Sequence, residues 1–521
     1  MYMHPLSPLQ TLPPKNLPHH NSVSLSHSQT HTNMEYLSKP SHDSTTTTLE
    51  KHIHSTLMEL LRFSTLLLML SIEAFLFLQK WEPIFHILSL SSILLFFTLL
   101  NSHLSIPQPV YLLDFSCGKP PDFCKVPFST FLEHAGVAGF WDENTTAFMA
   151  KVLTSSGQGQ QTYLPPSLHH IPPTSHHHEA IEEAQMVLFP VFDDLLSKTN
   201  LSPRVIDILI VNCSGFCPVP SLSSIIVNKY AMRDDVKTFN ITGMGCSASA
   251  LGIDMAQNLL KVHKNSHAVI LSTEILSPSW YPGKEKSMMI FNCMFRMGSA
   301  AIWVTNKKEA KKFSKYRLLR TLRSQRAFDD KAYYGAFREE DSKGMTGVTL
   351  RKDVLQEIGE TLRPNITVLG SWILPVTEMF PYVVSKVWKR VIDKSVEIYM
   401  PDFRSVIEHF CLPASGKGMI REIGKELKLG ERDMEAALVT LHRFGNQSSS
   451  SLWYELAYME GKERVKEGDK VLMIGIGSGL KCTNLVWECV RPIVGEAQKG
   501  PWDDSIDRYP NLVIGDDKDV Y

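Results

Sequence analysis

Cys246 is the residue in this chain best placed for covalent chemistry. It lies in the stretch Thr238 to Lys261, TFNITGMGCSASALGIDMAQNLLK. Thr238 to Ile241 alternate and are partly β-branched, which predicts a short strand, and Gly243 and Gly245 permit a sharp turn around the cysteine. Beyond it Ala250, Ile253, Met255, Ala256, Leu259 and Leu260 recur at near-helical spacing, so Cys246 is expected at a strand-to-helix junction. Unpaired N–H groups and the positive helix end there favour thiolate over thiol, and the glycines leave room for a substrate carbonyl. An arbitrary cysteine is more often a buried structural residue. The flanking glycines and the small residues Ser247, Ala248 and Ser249 argue for a nucleophile instead.

Positioning such a thiol takes a scaffold of buried strands. Val205 to Asn212 (VIDILIVN), His267 to Thr273 (HAVILST) and Ala300 to Thr305 (AAIWVT) are unbroken apolar runs, alternating with helix-like segments at Glu179 to Lys198 and Ser247 to Lys261. A second set follows: a strand-like Val406 to Leu412, a helix-like Gly418 to Leu427, a serine-rich helix start at Ser448 to Glu460, and strands at Lys470 to Ile476 and Lys481 to Val490. Two similar α/β halves predict a layered αβαβα architecture. The basic run Lys307 to Arg326 is read as a solvated face, with a phosphate site as the sharper alternative. Leu362 to Met400 mixes apolar runs with Lys386, Lys389, Arg390 and Lys394, which suits a segment lying on headgroups or a lid over the site.

The 521 residues suffice for two or three core-bearing units, and a formal net charge of −1 gives no electrostatic case for nucleic acid. Nine cysteines without a CxxC pair point to a reducing compartment rather than a disulfide framework. Asn240-Ile-Thr and Asn446-Gln-Ser match the glycosylation pattern only by chance, since both fall in the chemically interesting stretches. His176 to His178 has no partner ligands at metal spacing, so no metal is expected.

Residues 1–57, rich in His, Ser, Thr and Pro, predict a disordered extension or an upstream start ahead of Met58. Leu60 to Leu78 and Ile84 to Leu100 each have about the length needed to cross a bilayer, and QKWEP between them predicts a transmembrane hairpin over 58–105. Glu73 would cost about 2 to 3 kcal/mol if lipid-facing, so one amphipathic anchor or a single span is the alternative. With two spans both termini share one side, and the cysteine usage makes that side cytosolic. The remaining units are 106–400, a first half with an insert, 401–495, a second half, and a tail over 496–521.

Four motifs carry a family likeness: NITGMGCSAS, NCMFRMGSAAI (Asn292 to Ile302), LHRFGNQSSSSLWYELAYMEGKERVKEGDKV and IGSGLKC. They resemble the 3-ketoacyl-CoA synthases of the membrane-bound plant fatty acid elongase, in the thiolase-like superfamily, over roughly Tyr111 to Tyr509. The resemblance implies a decarboxylating Claisen condensation of long-chain acyl-CoA with malonyl-CoA, with no further cofactor. It makes Cys246 the acyl-carrying nucleophile and Asn446 one of the two enolate donors, the other being a histidine. Gly475, Gly477 and Gly479 match the family's glycine loop beside the nucleophile. His442 and His409 match histidines of its site regions, though each fits equally a hydrogen-bonded core histidine. It also implies a homodimer, the elongase reductases and dehydratase as partners, and the endoplasmic reticulum membrane with the catalytic domain in the cytosol.

Two departures stand out. Where the family reads HFCIHAGG, this chain has His409-Phe-Cys-Leu-Pro413-Ala-Ser-Gly416, and where it reads RTHKGADD, this chain has Arg323-Ser-Gln325-Arg-Ala-Phe-Asp-Asp330. Proline offers no side-chain donor and no N–H. Two rival expectations follow: a family member that binds acyl-CoA or modulates active synthases without catalysing, and a soluble polyketide-forming relative, which the apolar runs disfavour.

Overall fold

Unbroken aliphatic runs make strands that are covered on both faces. In the computed structural model, which describes residues 82–104 and 109–511 with Ser71, Phe75 and Val513, the first half-sheet is built from β1 (Tyr111–Cys117), β2 (Ile208–Asn212), β3 (Lys237–Ile241), β4 (His267–Thr273) and β5 (Ser299–Thr305). Their order is β3-β2-β4-β5-β1, and every residue of β2, β4 and β5 is buried. β2 runs parallel to β3 and β4, and β5 returns antiparallel between β4 and β1. The second half supplies β6 (Tyr316–Gln325), β9 (His409–Cys411), β10 (Lys470–Gly477) and β11 (Lys481–Cys489), in the order β6-β11-β10-β9. β7 (Ala336–Glu340) and β8 (Thr346–Leu350) form a separate hairpin. The half-sheets join where β1 meets β6 through only two register pairs, Tyr111 with Arg317 and Leu112 with Tyr316.

The helices include α1 (Pro83–Leu104), α2 (His177–Thr199), α3 (Ala248–Val262), α4 (Lys286–Met294), α5 (Val354–Ile373), α6 (Val376–Val391), α7 (Lys417–Glu426), α8 (Glu431–Phe444) and α9 (Ser451–Gly461). α3 touches β2 and β4 on one side and β10 and β11 on the other, and α9 likewise sits between β1 and the pair β9 and β10. α2 covers the outer face of the first half-sheet, and α5 and α8 cover the second. This is the expected αβαβα layering. A helix between two sheets must be apolar all round and slim, and α3 meets that need with Ala248, Ser249, Ala250, Gly252 and Ala256. A Cβ on Gly252 would come 3.0 Å from Ile270 Cγ2.

The structure refines the sequence expectations in three places. The basic run 307–326 is solvated only in part: Lys308, Lys311, Lys312, Arg320 and Arg323 are exposed, Lys307 and Lys315 are buried, and its second half is β6, in the middle of the nine strands. The strand expected over 406–412 shrinks to three residues: a 3₁₀ turn over Phe403–Ser405 runs up to Val406, and the Leu412 N–H donates to Glu455 Oε2 at 2.7 Å instead of continuing the ladder. The segment 362–400 forms the helices α5 and α6. Of the two expected spans, 60–78 lies outside the described residues apart from Ser71 and Phe75, and 84–100 falls within α1. Among the described residues no helix is long and apolar enough to cross a membrane.

A buried cation ties the halves together. Lys315, just ahead of β6, has its Nζ 2.8 Å from Asp114 of β1, 2.9 Å from Glu460 of α9 and 3.3 Å from Glu496. The Tyr316 hydroxyl donates to the other oxygen of Glu460 at 2.8 Å. Lys315 and Glu460 are each only 2% exposed. Burial opposes the charge, but the surrounding carboxylates outweigh it and hold the ammonium above its ordinary pKa. Lys315→Met leaves Glu460 buried without its cation, so unfolding of the detergent-solubilised full chain is expected to become easier by about 3 to 5 kcal/mol. A loss below about 1 kcal/mol in a urea titration would show that the pair is dispensable.

Candidate active site

Cys246 stands where the sequence placed it. After β3 ends at Ile241, Gly243 (φ 67°) and Gly245 (φ 58°) occupy the left-handed region and turn the chain. A single 3₁₀ turn, Gly245–Ser247, then leads into α3. The turn is fixed from both sides: the Gly245 N–H donates to Ser214 Oγ at 2.9 Å, and Ser247 Oγ donates to the Met244 carbonyl at 2.9 Å.

The end of β10 closes onto this turn from the other half. A Cβ on Gly477 would collide with the Met244 carbonyl oxygen, and one on Gly475 would come 3.1 Å from Ser247 Cα. Ser478 Oγ donates to the Gly243 carbonyl at 3.1 Å. Gly479, at φ 63°, makes the turn into β11. Gly475 and Gly477 thus let backbone approach the nucleophile turn, and Gly479 turns the chain between β10 and β11.

The half-buried Cys246 opens on a cavity of about 790 Å³. Its Sγ accepts from Ser448 Oγ at 3.7 Å and from Ser415 Oγ at 3.9 Å. Ser448, itself at φ 56°, also reaches Glu274 Oε2 at 3.2 Å, while Glu274 Oε1 accepts from the Ser214 and Gly215 N–H groups at 3.1 and 2.6 Å. Burial pushes the Cys246 thiol up, and the neighbouring Glu274 carboxyl adds to it. The hydrogen bonds from Ser448 and Ser415 pull the other way without prevailing. This corrects the expectation of a resting thiolate: desolvation outweighs the helix end, and among the described residues lining the cavity there is no imidazole to accept the proton.

Asn446 faces the same cavity. Gly445, at φ 74°, ends α8 and swings the next residue outward, and a Cβ on it would meet Arg296 Cγ at 2.5 Å. The Asn446 carbonyl accepts from the Arg296 N–H at 2.9 Å, and its Oδ1 accepts from the Ser448 N–H at 2.8 Å. With Oδ1 engaged there, Nδ2 is the free donor of the amide.

The two histidines are not brought to this site. His442 Nδ1 is 2.8 Å from the Tyr509 hydroxyl, the rings meet edge to face, and the residue is not among those lining the cavity. His409 Nε2 is 2.9 Å from Asp469 Oδ2, and His409 pairs with Val471 six residues before Gly477, so it sits roughly 20 Å back along the strand direction. Both are structural partners at these positions. Pro413 is buried in the loop after β9, and the polar group this loop presents to the thiol is Ser415.

Glu274, Ser448 and Ser415 escaped sequence reasoning. Glu274 carried one usable signal, an acid directly after the buried strand HAVILST. Ser448 was hidden in a serine run whose members serve the layers: Ser449 Oγ accepts from Asn212 at 2.9 Å, and Ser450 Oγ donates to the Ser272 carbonyl at 2.9 Å. One side of the cavity is apolar, with Ile290, Phe291 and Met294 of α4 and Val354, Leu355 and Ile358 of α5. Arg338, Lys417 and Lys481 are its cations.

A cysteine on a glycine turn ahead of a buried helix, inside these five layers, defines a condensing enzyme of thiolase-like fold. The family model described as FAE1/type III polyketide synthase-like protein matches residues 103–391, and that of the 3-oxoacyl-[acyl-carrier-protein] synthase III C terminal matches 404–489. The chain belongs to the FAE1/type III polyketide synthase-like family. It is 46% identical to 3-ketoacyl-CoA synthase 6 of Arabidopsis thaliana over 410 residues, 79% of this chain and 82% of that one. With 3-ketoacyl-CoA synthase 5 of the same plant it shares 45% over 428 residues, 82% and 87% of the two chains. Among solved structures it resembles a fungal type III polyketide synthase, ORAS, at TM-score 0.58 and 14% identity, covering 73% of this chain and 99% of that one. PKS-I of the brown alga Ectocarpus siliculosus matches with the same TM-score and identity, over 73% and 98%.

The thiol environment has a measurable consequence. Alkylation of Cys246 by iodoacetamide, taken as the difference from Cys246→Ser, is expected to rise with pH through an inflection above the ordinary cysteine value of about 8.5. Ser448→Ala, which removes a hydrogen bond to sulfur, is expected to move the inflection further up. An inflection near neutrality would instead reveal an activating base.

Proposed function

We propose that this chain is a very-long-chain 3-ketoacyl-CoA synthase, an acyltransferase that condenses long-chain acyl-CoA with malonyl-CoA. The observation that carries this reading is the meeting of the Cys246 thiol and the Asn446 amide at one cavity with an apolar wall, in a chain whose relatives bear that name.

Cys246 Sγ attacks the acyl thioester carbonyl, forming a new thioester as coenzyme A departs with the thiol proton. Malonyl-CoA then loses carbon dioxide, and the electron pair of the broken bond becomes an enolate. Its oxygen is held by Asn446 Nδ2, a donor positioned before charge develops. The enolate carbon attacks the acyl-Cys246 carbonyl and expels the thiolate, giving 3-ketoacyl-CoA. The apolar wall from α4 and α5 suits the acyl chain. The apolar runs at 60–78 and 84–100 would anchor the protein in the endoplasmic reticulum membrane with the catalytic layers in the cytosol. There a second copy of the chain and the elongase reductases and dehydratase would be its partners.

One observation favours a second reading, a member that loads acyl chains but condenses slowly. Among the described residues lining the cavity there is no histidine, so Asn446 lacks the second donor that the family resemblance implies. Removing one such donor typically costs about 2.7 to 4 kcal/mol in the barrier, a factor of 10² to 10³.

Membranes carrying the full chain, given acyl-CoA and labelled malonyl-CoA, separate the two. Cys246→Ser is expected to abolish the acyl adduct seen by intact-protein mass spectrometry, and a persisting adduct would remove the cysteine from its role. If the missing donor limits the wild type, Pro413→His, with Ser415→Gly to loosen the loop, is expected to raise 3-ketoacyl-CoA formation by orders of magnitude, about 10²-fold or more. High wild-type activity without a gain would show that the site works on Asn446 alone, and no activity in either would favour a non-catalytic role. Carbonate extraction is expected to leave the protein in the membrane pellet, and its release would sink the anchored placement.

A further inference from the structure

Helix α6 carries an apolar face that nothing among the described residues buries. No residue of Val376–Val391 is buried. Val376, Phe380, Val383, Val384, Val387, Trp388 and Val391 recur at the i, i+3, i+4 spacing of one helix face, which at 100° per residue gathers them within an arc of about 140°. All seven are exposed, from 42% at Val384 to 79% at Val376. This is not the side by which the helix rests on the body. Met379 and Tyr382, on a different flank, help line a small cavity of about 190 Å³ with Leu362 and Ile366 of α5. The contacts that hold α6 in place thus leave the stripe free.

Arg390 and Lys386, both exposed and in the last two turns, lie on one edge of the stripe, about 20° and 60° beyond Val383, while half-buried Lys389 lies on the opposite side beside Tyr382; exposed Asp393 and Lys394 follow. The helix's one acid, Glu378, lies in its first turn and is engaged elsewhere, accepting from the Tyr399 hydroxyl at 2.9 Å and from the Asp402 N–H at 2.8 Å. Trp372, at the end of α5 just before this helix, is 49% exposed as well.

We propose that α6 is a docking surface for a bilayer bearing anionic headgroups, lying in the plane of the interface with its valine stripe at the boundary of the acyl chains. Aliphatic and aromatic residues on one arc with lysine and arginine alongside are the chemistry that such an interface takes up. Each cation near an anionic surface adds about 1 kcal/mol. The inference rests on the membrane placement proposed above and adds to it a second contact, made by the catalytic layers themselves about 270 residues beyond the N-terminal runs.

The test uses the full chain in lipid nanodiscs, with Val387 replaced by the photocrosslinking residue benzoylphenylalanine. Irradiation is expected to yield a phosphatidylcholine or phosphatidylinositol adduct on the peptide that contains residue 387. Combined Lys386→Glu and Arg390→Glu is expected to lower that yield at least about fivefold in discs containing phosphatidylinositol, the factor corresponding to about 1 kcal/mol. A crosslink to a second chain or to residues 1–105 would overturn the proposal, and so would a lipid adduct indifferent to charge reversal. A chain that does not enter the discs would overturn the membrane placement itself, a failure read separately by flotation before irradiation.

Discussion

Everything at the site depends on two stretches of backbone meeting where no side chain fits between them. The Met244 carbonyl on the nucleophile turn lies against Gly477 at the end of β10, so closely that a single methyl group would separate them. One half of the molecule carries the thiol and the other carries the surface that shapes it. The approach is possible because α3, which separates the half-sheets, is built from alanine, serine and glycine at its start. Larger residues there would hold the layers apart and lift β10 away from the turn.

That meeting must be held from a distance. Direct pairing between the half-sheets amounts to the short β1–β6 ladder, and beside it Lys315 gathers carboxylates from β1, from α9 and from the segment after β11. The serine run after Asn446 does comparable work nearer the thiol. Ser449 and Ser450 bond to Asn212 and Ser272 at the ends of β2 and β4, so the chain that follows Asn446 is fastened to the first half while its own helix belongs to the second. Asn446 itself is set by Arg296 and by Ser448, one from each half. Hydrogen bonds buried between layers have no water to fall back on, so a displaced partner is costly and the positions are sharply determined.

The sequence spoke clearly where local chemistry decides the outcome. HAVILST became β4 residue for residue, and the glycines flanking Cys246 announced its turn, because a continuous apolar run and a positive φ are written into adjacent residues. It was silent where partners arrive from far along the chain. Arginines and lysines between 307 and 326 looked like solvent-facing charge, yet Lys315 is buried because Glu460 and Glu496 come to it from more than 140 residues away. Glu274 meets Ser448 across 174 residues. His442 and His409 were plausible from motif position alone. Their actual partners, Tyr509 and Asp469, could be known only from the fold. The thiol's raised pKa had the same origin, since burial is a property of the assembled layers.

The strand order has a consequence for how this molecule can change over time. The nucleophile turn leaves β3 and the loop with Pro413 and Ser415 leaves β9, and these are the outermost strands of the nine. An outermost strand is hydrogen-bonded on one flank alone, so an altered loop beyond it displaces nothing in the interior. Pro413 lies outside the β9–β10 ladder, the β10–β11 hairpin and the glycine contact. Reactivity is thus lodged at the margins of a rigid interior, where a lineage can lose, exchange or regain a donor by single substitutions while the scaffold persists.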